Sequence, residues 1–410
     1  MKQSWTIVIF LNFLIAATMG LLLRSAFLWE IPWMDYRNML HGHSHVALLG
    51  WTYLLFYALM VANLVPKNKR DRPTYKWLFY LTQFAVLGMM VAFPIQGYGP
   101  VSISFSAFHI LCSYLFVYRI WKDMEFRDAA LRSWFRLGLV SMVLSTMGVW
   151  ALGPIVASFG KISALYQVAI QFYLHFQLNG WFITIAMGLL MLFIGGNTIY
   201  KHRSKFVWML FFYVTGLGLT YFHVLYWAYG LPVFQVLNSV GVSFQVIALG
   251  IWLNIFLTPL KGMLQKLPSI GRSLLYFGLI SFISKVLLQQ LLVIPYVAEM
   301  STTVRPLIVG YIHLCMIGTA SALGLLFTYH CLRISYPIWA LRSWLAGFIG
   351  TEALLFVQGG MYSFRLGALP GYHEGLWAAS CLLVLGIALQ LGRLHVAKQP
   401  VVENQLMTSH

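Results

Sequence analysis

Residues 41–65 read HGHSHVALLGWTYLLFYALMVANLV. No Asp, Glu, Lys or Arg interrupts the run, and Pro66, Lys67, Lys69 and Arg70 close it. At 1.5 Å per residue a helix of this length crosses the ~30 Å hydrocarbon core of a bilayer. Its opening turns nevertheless carry three histidines, His41, His43 and His45. Imidazole inside hydrocarbon is costly, so it faces a protein interior or a ligand rather than lipid. The stretch therefore reads as a membrane span with chemistry built into one half.

Eleven further runs of the same kind flank it. The spans are 4–23, 41–65, 76–96, 101–121, 134–158, 163–193, 206–228, 233–257, 273–294, 306–328, 338–359 and 375–393. The composition agrees: of 410 residues 60% are hydrophobic and 9% charged, and the mean hydropathy is +0.77. Soluble domains run near 25% charged, so a soluble enzyme, a nucleic-acid module and a disordered chain are excluded. No loop is long enough for a soluble domain, and no internal repeat or linker is obvious. The sequence predicts an all-α polytopic protein of about 12 transmembrane helices, with residues 1–410 forming a single integral-membrane domain.

The formal net charge is +17. Of the 27 Lys and Arg residues, 21 fall on one side of the spans, among them Lys2, Lys67, Arg70, Arg127, Arg203, Arg272, Arg333 and Lys398. Only Arg24, Arg37, Lys161, Arg305 and Arg365 fall on the other, and Lys285 lies inside a span. The positive-inside rule then places both termini in the cytoplasm, in the cell (inner) membrane. The basic excess is a topology signal that favours anionic lipid, and no nucleic-acid partner is expected. The first span resembles a signal peptide, with Lys2 ahead of an apolar run. The loop charges fit its retention as a helix.

Seven of the 12 histidines are intramembrane: His41, His43 and His45, His109, His175, His223 and His313. In the orientation above all lie toward the outer side; His202, His330, His373, His395 and His410 lie in loops or tails. A lone intramembrane histidine is usually an interhelical hydrogen bond, and His109 is read so. As a set they point to metal or haem, for which imidazole is the common ligand. On a helix His41 and His45 share a face and His43 points away, so part of the run is open to being loop. Lys285, with Gln289 and Gln290, and Glu352 are the polar groups for a proton path, or pair with each other. Arg24 and Arg37 flank the outer ends of spans one and two, where guanidinium suits haem propionates. The cysteines Cys112, Cys315, Cys331 and Cys381 have no paired spacing, and no phosphate loop or Ser–His–Asp set occurs.

This pattern resembles the haem–copper oxidase superfamily, in particular its twelve-helix catalytic subunit I. Histidines fall on spans two, six, seven and ten, the helices that carry that family's haem and copper ligands. His43-Ser44-His45-Val46-Ala47-Leu48-Leu49-Gly50-Trp51 is similar to helix two of the nitric oxide reductase and C-type oxidase branches. Tyr311-Ile312-His313-Leu314-Cys315-Met316-Ile317-Gly318 is similar to helix ten. The resemblance implies a b-type low-spin haem held by His313 and one of His41, His43 or His45. It implies copper at His175 and His223, and a cytochrome-type electron donor or companion subunits as partners.

Three departures from the family stand out. Tyr311 occupies the position of the second helix-ten histidine, Phe222-His223-Val224 has one histidine where two are usual, and Asn179 stands where some oxidases have a tyrosine. The expectation is a haem-binding membrane redox protein, an oxidoreductase of the oxygen or nitric oxide reductase type if it is an enzyme, with an incomplete binuclear centre. A non-enzymatic haem or metal sensor or assembly factor is the alternative, and a proton-coupled transporter ranks behind both.

Overall fold

The computed structural model describes residues 2–195, 197–332 and 336–396. Arg333, Lys398 and His410, used above for the charge count and the histidine census, lie outside the described residues. The described chain is helical, with no strand. Twelve helices are long and apolar enough to cross a membrane: α1 Gln3–Ser25, α2 Tyr36–Leu64, α3 Pro73–Gln96, α4 Pro100–Asp123, α5 Ala129–Phe159, α6 Ala164–Ile194, α7 Arg203–Tyr229, α8 Pro232–Lys266, α9 Ser269–Val293, α10 Arg305–Cys331, α11 Ile338–Ser363 and α12 Tyr372–Leu394. The chain is an all-α polytopic membrane protein, and each helix overlays the span expected for it.

Local chemistry sets the ends. Pro73, Pro100 and Pro232 open α3, α4 and α8, where a missing N–H costs nothing. Asp128 caps α5 by accepting from Ala130 N at 2.6 Å. At α2 the sequence reading needs correction. Asp35 accepts from Asn38 N at 2.8 Å, so the helix starts at Tyr36 and the whole histidine run is helical. None of it is loop.

The described residues form two compact units. Unit one, within 1–125 and 324–403, holds α1–α4, α11 and α12; α1 packs on α2 and α12, α3 on α4, and α11 on α12. The ends of α1 are tied to α12 by Gln3 Nε2 donating to Leu394 O at 3.2 Å and Trp377 Nε1 to Ser25 Oγ at 3.1 Å. Unit two, within 126–323, holds α5–α9 and α10 as far as Leu323; α5 packs on α6, α7 on α8, and α9 on α10.

Three helices stand apart. In their most apolar windows α2, α6 and α10 are 78%, 83% and 61% buried, and no other described span exceeds 50%. Each also carries a π-helical stretch, Val46–Tyr53, Phe176–Phe182 and Leu314–Ser321, that begins directly after a histidine: His45, His175 and His313. Glycine follows five residues later in all three, as Gly50, Gly180 and Gly318. The sequence thus holds a repeat that was not obvious, His-x4-Gly on every fourth span. The wide π turn displaces the usual carbonyl partners, and hydroxyls five residues on make them good: Thr52 donates to Ala47 O at 3.1 Å, Thr184 to Asn179 O at 3.3 Å and Thr319 to Leu314 O at 3.2 Å. Such bulges recur at functional sites.

The glycines permit close approach to neighbouring helices. A Cβ on Gly50 would sit 2.8 Å from Val86 Cγ1 of α3 and 3.2 Å from Asn12 of α1. A Cβ on Gly180 would sit 2.7 Å from Ser141 Cβ of α5 and 3.4 Å from Leu217 of α7. Asn12 Nδ2 donates to Gly50 O at 2.9 Å, which pins α1 to α2 at that level.

Candidate functional site

In unit one the histidines of α2 point to both sides of the helix, as their spacing requires. His43 Nδ1 donates to Ala16 O of α1 at 2.8 Å, and a Cβ on Gly20 would meet its ring at 3.0 Å. His45 Nδ1 donates to His41 O at 2.9 Å, and its ring stacks on Phe93 of α3 with centroids 4.0 Å apart. The His41 ring lies edge-on to Tyr98 at 4.6 Å. A carbonyl only accepts, so in neutral His43 and His45 the proton is on Nδ1 and the lone pair on Nε2. Metal-ligating imidazoles are oriented in this way, by a hydrogen bond from the other nitrogen to backbone or carboxylate. His43 and His45 are half-buried as residues, whereas Val46 after them is fully buried. The donors on α2 fit a haem iron.

The cationic groups lie in the same unit. Arg37 is within electrostatic range of His41. Arg24 hydrogen-bonds Tyr372 of α12 and acts electrostatically on Glu352 of α11. Arg24 is thus a neighbour that the sequence reading did not give Glu352. Arg24 flanks the outer end of span one, whereas Glu352 lies inside span eleven, 338–359. His109 is buried, edge-on to Tyr53 at 4.8 Å.

Unit two gathers the remaining candidates. His175 Nε2 donates to Leu217 O of α7 at 2.9 Å, which leaves the lone pair on Nδ1, the reverse of the α2 histidines. Ser301 Oγ spends its proton on Ala298 O at 2.7 Å and so accepts from His223 Nε2 at 2.9 Å. His223 Nδ1 is buried with no hydrogen-bond partner. Lys285 is 3% exposed, within electrostatic range of His175 and of Cys315. Tyr311 donates to Asn179 Oδ1 at 3.2 Å, and the Asn179 carbonyl accepts from Tyr213 at 3.0 Å. His313 closes the α-helical turn before the π stretch of α10, the position His45 and His175 hold in their own helices.

A copper site does not fit the donors as they stand. Among the described residues no group of three or more His, Cys, Asp or Glu is placed to hold a metal ion. The Lys285 ammonium, within electrostatic range of His175, repels a second cation. None of the four cysteines forms a disulfide. No protein-family model matches the chain, and no characterised protein sequence it was compared with is similar to it.

The sequence reading missed two features of the site. One is the contact between Tyr311 and Asn179, each noted there only as a departure. The other is the π turn after each of three histidines. The recurring His-x4-Gly was its visible signal.

Proposed function

We propose that the chain is a haem-binding membrane protein that relays electrons, related to the catalytic subunit of haem–copper oxidases but without the oxygen-reducing centre. The observation that carries this is the anchoring of His43 and His45 by Nδ1 to backbone carbonyls, which presents Nε2 as an iron ligand. The helix-ten resemblance also implies His313 as a haem ligand, and in unit one Arg24 and Arg37 supply cations for propionates. A bound haem would supply one-electron chemistry, and two imidazoles favour electron transfer over ligand activation because they fill both axial positions. Tyr311 supports the same reading, since its hydroxyl is spent on Asn179 where the family has a second histidine. The basic loops argue for cytoplasmic termini in the cell membrane, with the histidines toward the outer half and a cytochrome-type donor or companion subunit there.

The test is the absorption spectrum of protein purified after haem-replete expression. A low-spin b-type spectrum is expected on reduction. It should vanish in His313→Ala and in the alanine variant of one α2 histidine, and persist in His175→Ala and His223→Ala. Protein with no haem would sink the reading and promote a proton-coupled transporter. A carbon-monoxide-reactive high-spin haem would replace it with an oxidase.

A further inference from the structure

Between Asp128 and Glu299 the chain contains no Asp or Glu. Lys285 lies deep in α9 within that interval, 3% exposed, and among the described residues its Nζ makes no hydrogen bond or ion pair. The two acids of unit two cannot serve it. Asp128 caps the start of α5, and Glu299 is exposed on the short helix Pro295–Thr303. An uncompensated ammonium in a low-dielectric interior is costly, so a group from outside the chain is called for.

The surroundings of Lys285 can be placed by register. Gly278 of α9 meets α10 at Leu323, where a Cβ would lie 2.9 Å from the leucine side chain. Successive spans run in opposite directions. Two turns onward from Gly278 is Lys285, and two turns back from Leu323 is Met316, next to Cys315. The electrostatic contact of Lys285 with Cys315 agrees with that level. From α6, His175 is in range of both Lys285 and His223. One turn along α9, Gln289 is buried with Oε1 unpartnered. From α10, Tyr311 bonds Cys315 and Asn179. Among the described residues of unit two, none brings a carboxylate to this level.

We infer that the cluster of Lys285, His175 and His223 in unit two is a binding site for a small monovalent inorganic anion. One formal charge sets the valence, and the anion takes the place that a copper ion would need. It restores neutrality around the ammonium, and a site so charged selects against metal cations.

Nitrate is the probe, titrated calorimetrically into the detergent-purified full chain in chloride-free buffer. One saturable site per chain is expected, with affinity at least tenfold weaker in Lys285→Met. Nitrate should raise the melting temperature of the native chain and leave that of Lys285→Met unmoved. Cys315→Asp, which supplies an internal carboxylate beside Lys285, should also abolish binding and serves if Lys285→Met fails to fold. Absence of saturable binding to the native chain overturns the inference, as does equal affinity in either variant. Stoichiometric copper that is lost in His175→Ala overturns it too. Haem content is read separately by absorption, so failure of the haem reading and failure of this one are distinct results.

Discussion

Tyr311 of α10 donates its phenolic hydrogen to Asn179 Oδ1 of α6 across 3.2 Å. The two residues lie 132 positions apart in the sequence and meet in unit two. Asn179 also receives Tyr213 on its backbone oxygen, and Tyr213 in turn pairs with Thr184 at 2.8 Å. The two side chains therefore belong to one polar network that joins α6, α7 and α10.

The pair should behave as a unit on mutation. Tyr311→Phe leaves Asn179 Oδ1 without this donor and should cost about 1 kcal/mol, and Asn179→Leu removes this acceptor from the phenol at a similar cost. The double variant should lose clearly less than the sum, because neither group is then left unpaired. Thermal unfolding in detergent measures this. Strict additivity would show that the hydrogen bond contributes nothing.

Close packing at the repeat glycines makes a sharper contrast. Gly50→Ala and Gly180→Ala drive a methyl into Val86 and Ser141, at 2.8 and 2.7 Å, and should each destabilise by about 1–3 kcal/mol. Gly218→Ala is the control: nothing lies within 4 Å of its Cβ position, and alanine is the better helix former by ~1 kcal/mol. Melting temperatures that fall for the first two and hold or rise for the third are the expected outcome.

Arg24 and Glu352 should couple. Arg24→Gln removes the cation that acts electrostatically on the buried Glu352 and should destabilise the protein, whereas adding Glu352→Gln should recover part of that loss. A double variant no more stable than Arg24→Gln alone would mean that the arginine acts only through Tyr372.

Orientation is open to reporter fusions. Reporters placed after Arg70 or Arg127 should read cytoplasmic, and those near Gly99 or Ala298 external, since 21 of the basic residues lie on one side. Reversal at two of these sites would put the histidines in the inner half of the membrane.

Twelve spans, their order and the faces of the α2 histidines were legible in the sequence. Apolar run length and the i, i+4 spacing are local properties, readable without knowledge of any partner. The start of α2 was less legible. Its first turn, Tyr36 to Met39, is too polar to register as a span, and the Asp35 cap decides it. Which nitrogen each imidazole presents could not be read at all, because that depends on a carbonyl one turn back for His45, on α1 for His43 and on α7 for His175. Nor could the sequence say that Tyr311 meets Asn179, 132 residues away. Hydrogen bonds are directional and short, so only tertiary packing decides them, while hydrophobic length is additive along the chain and survives in the sequence alone.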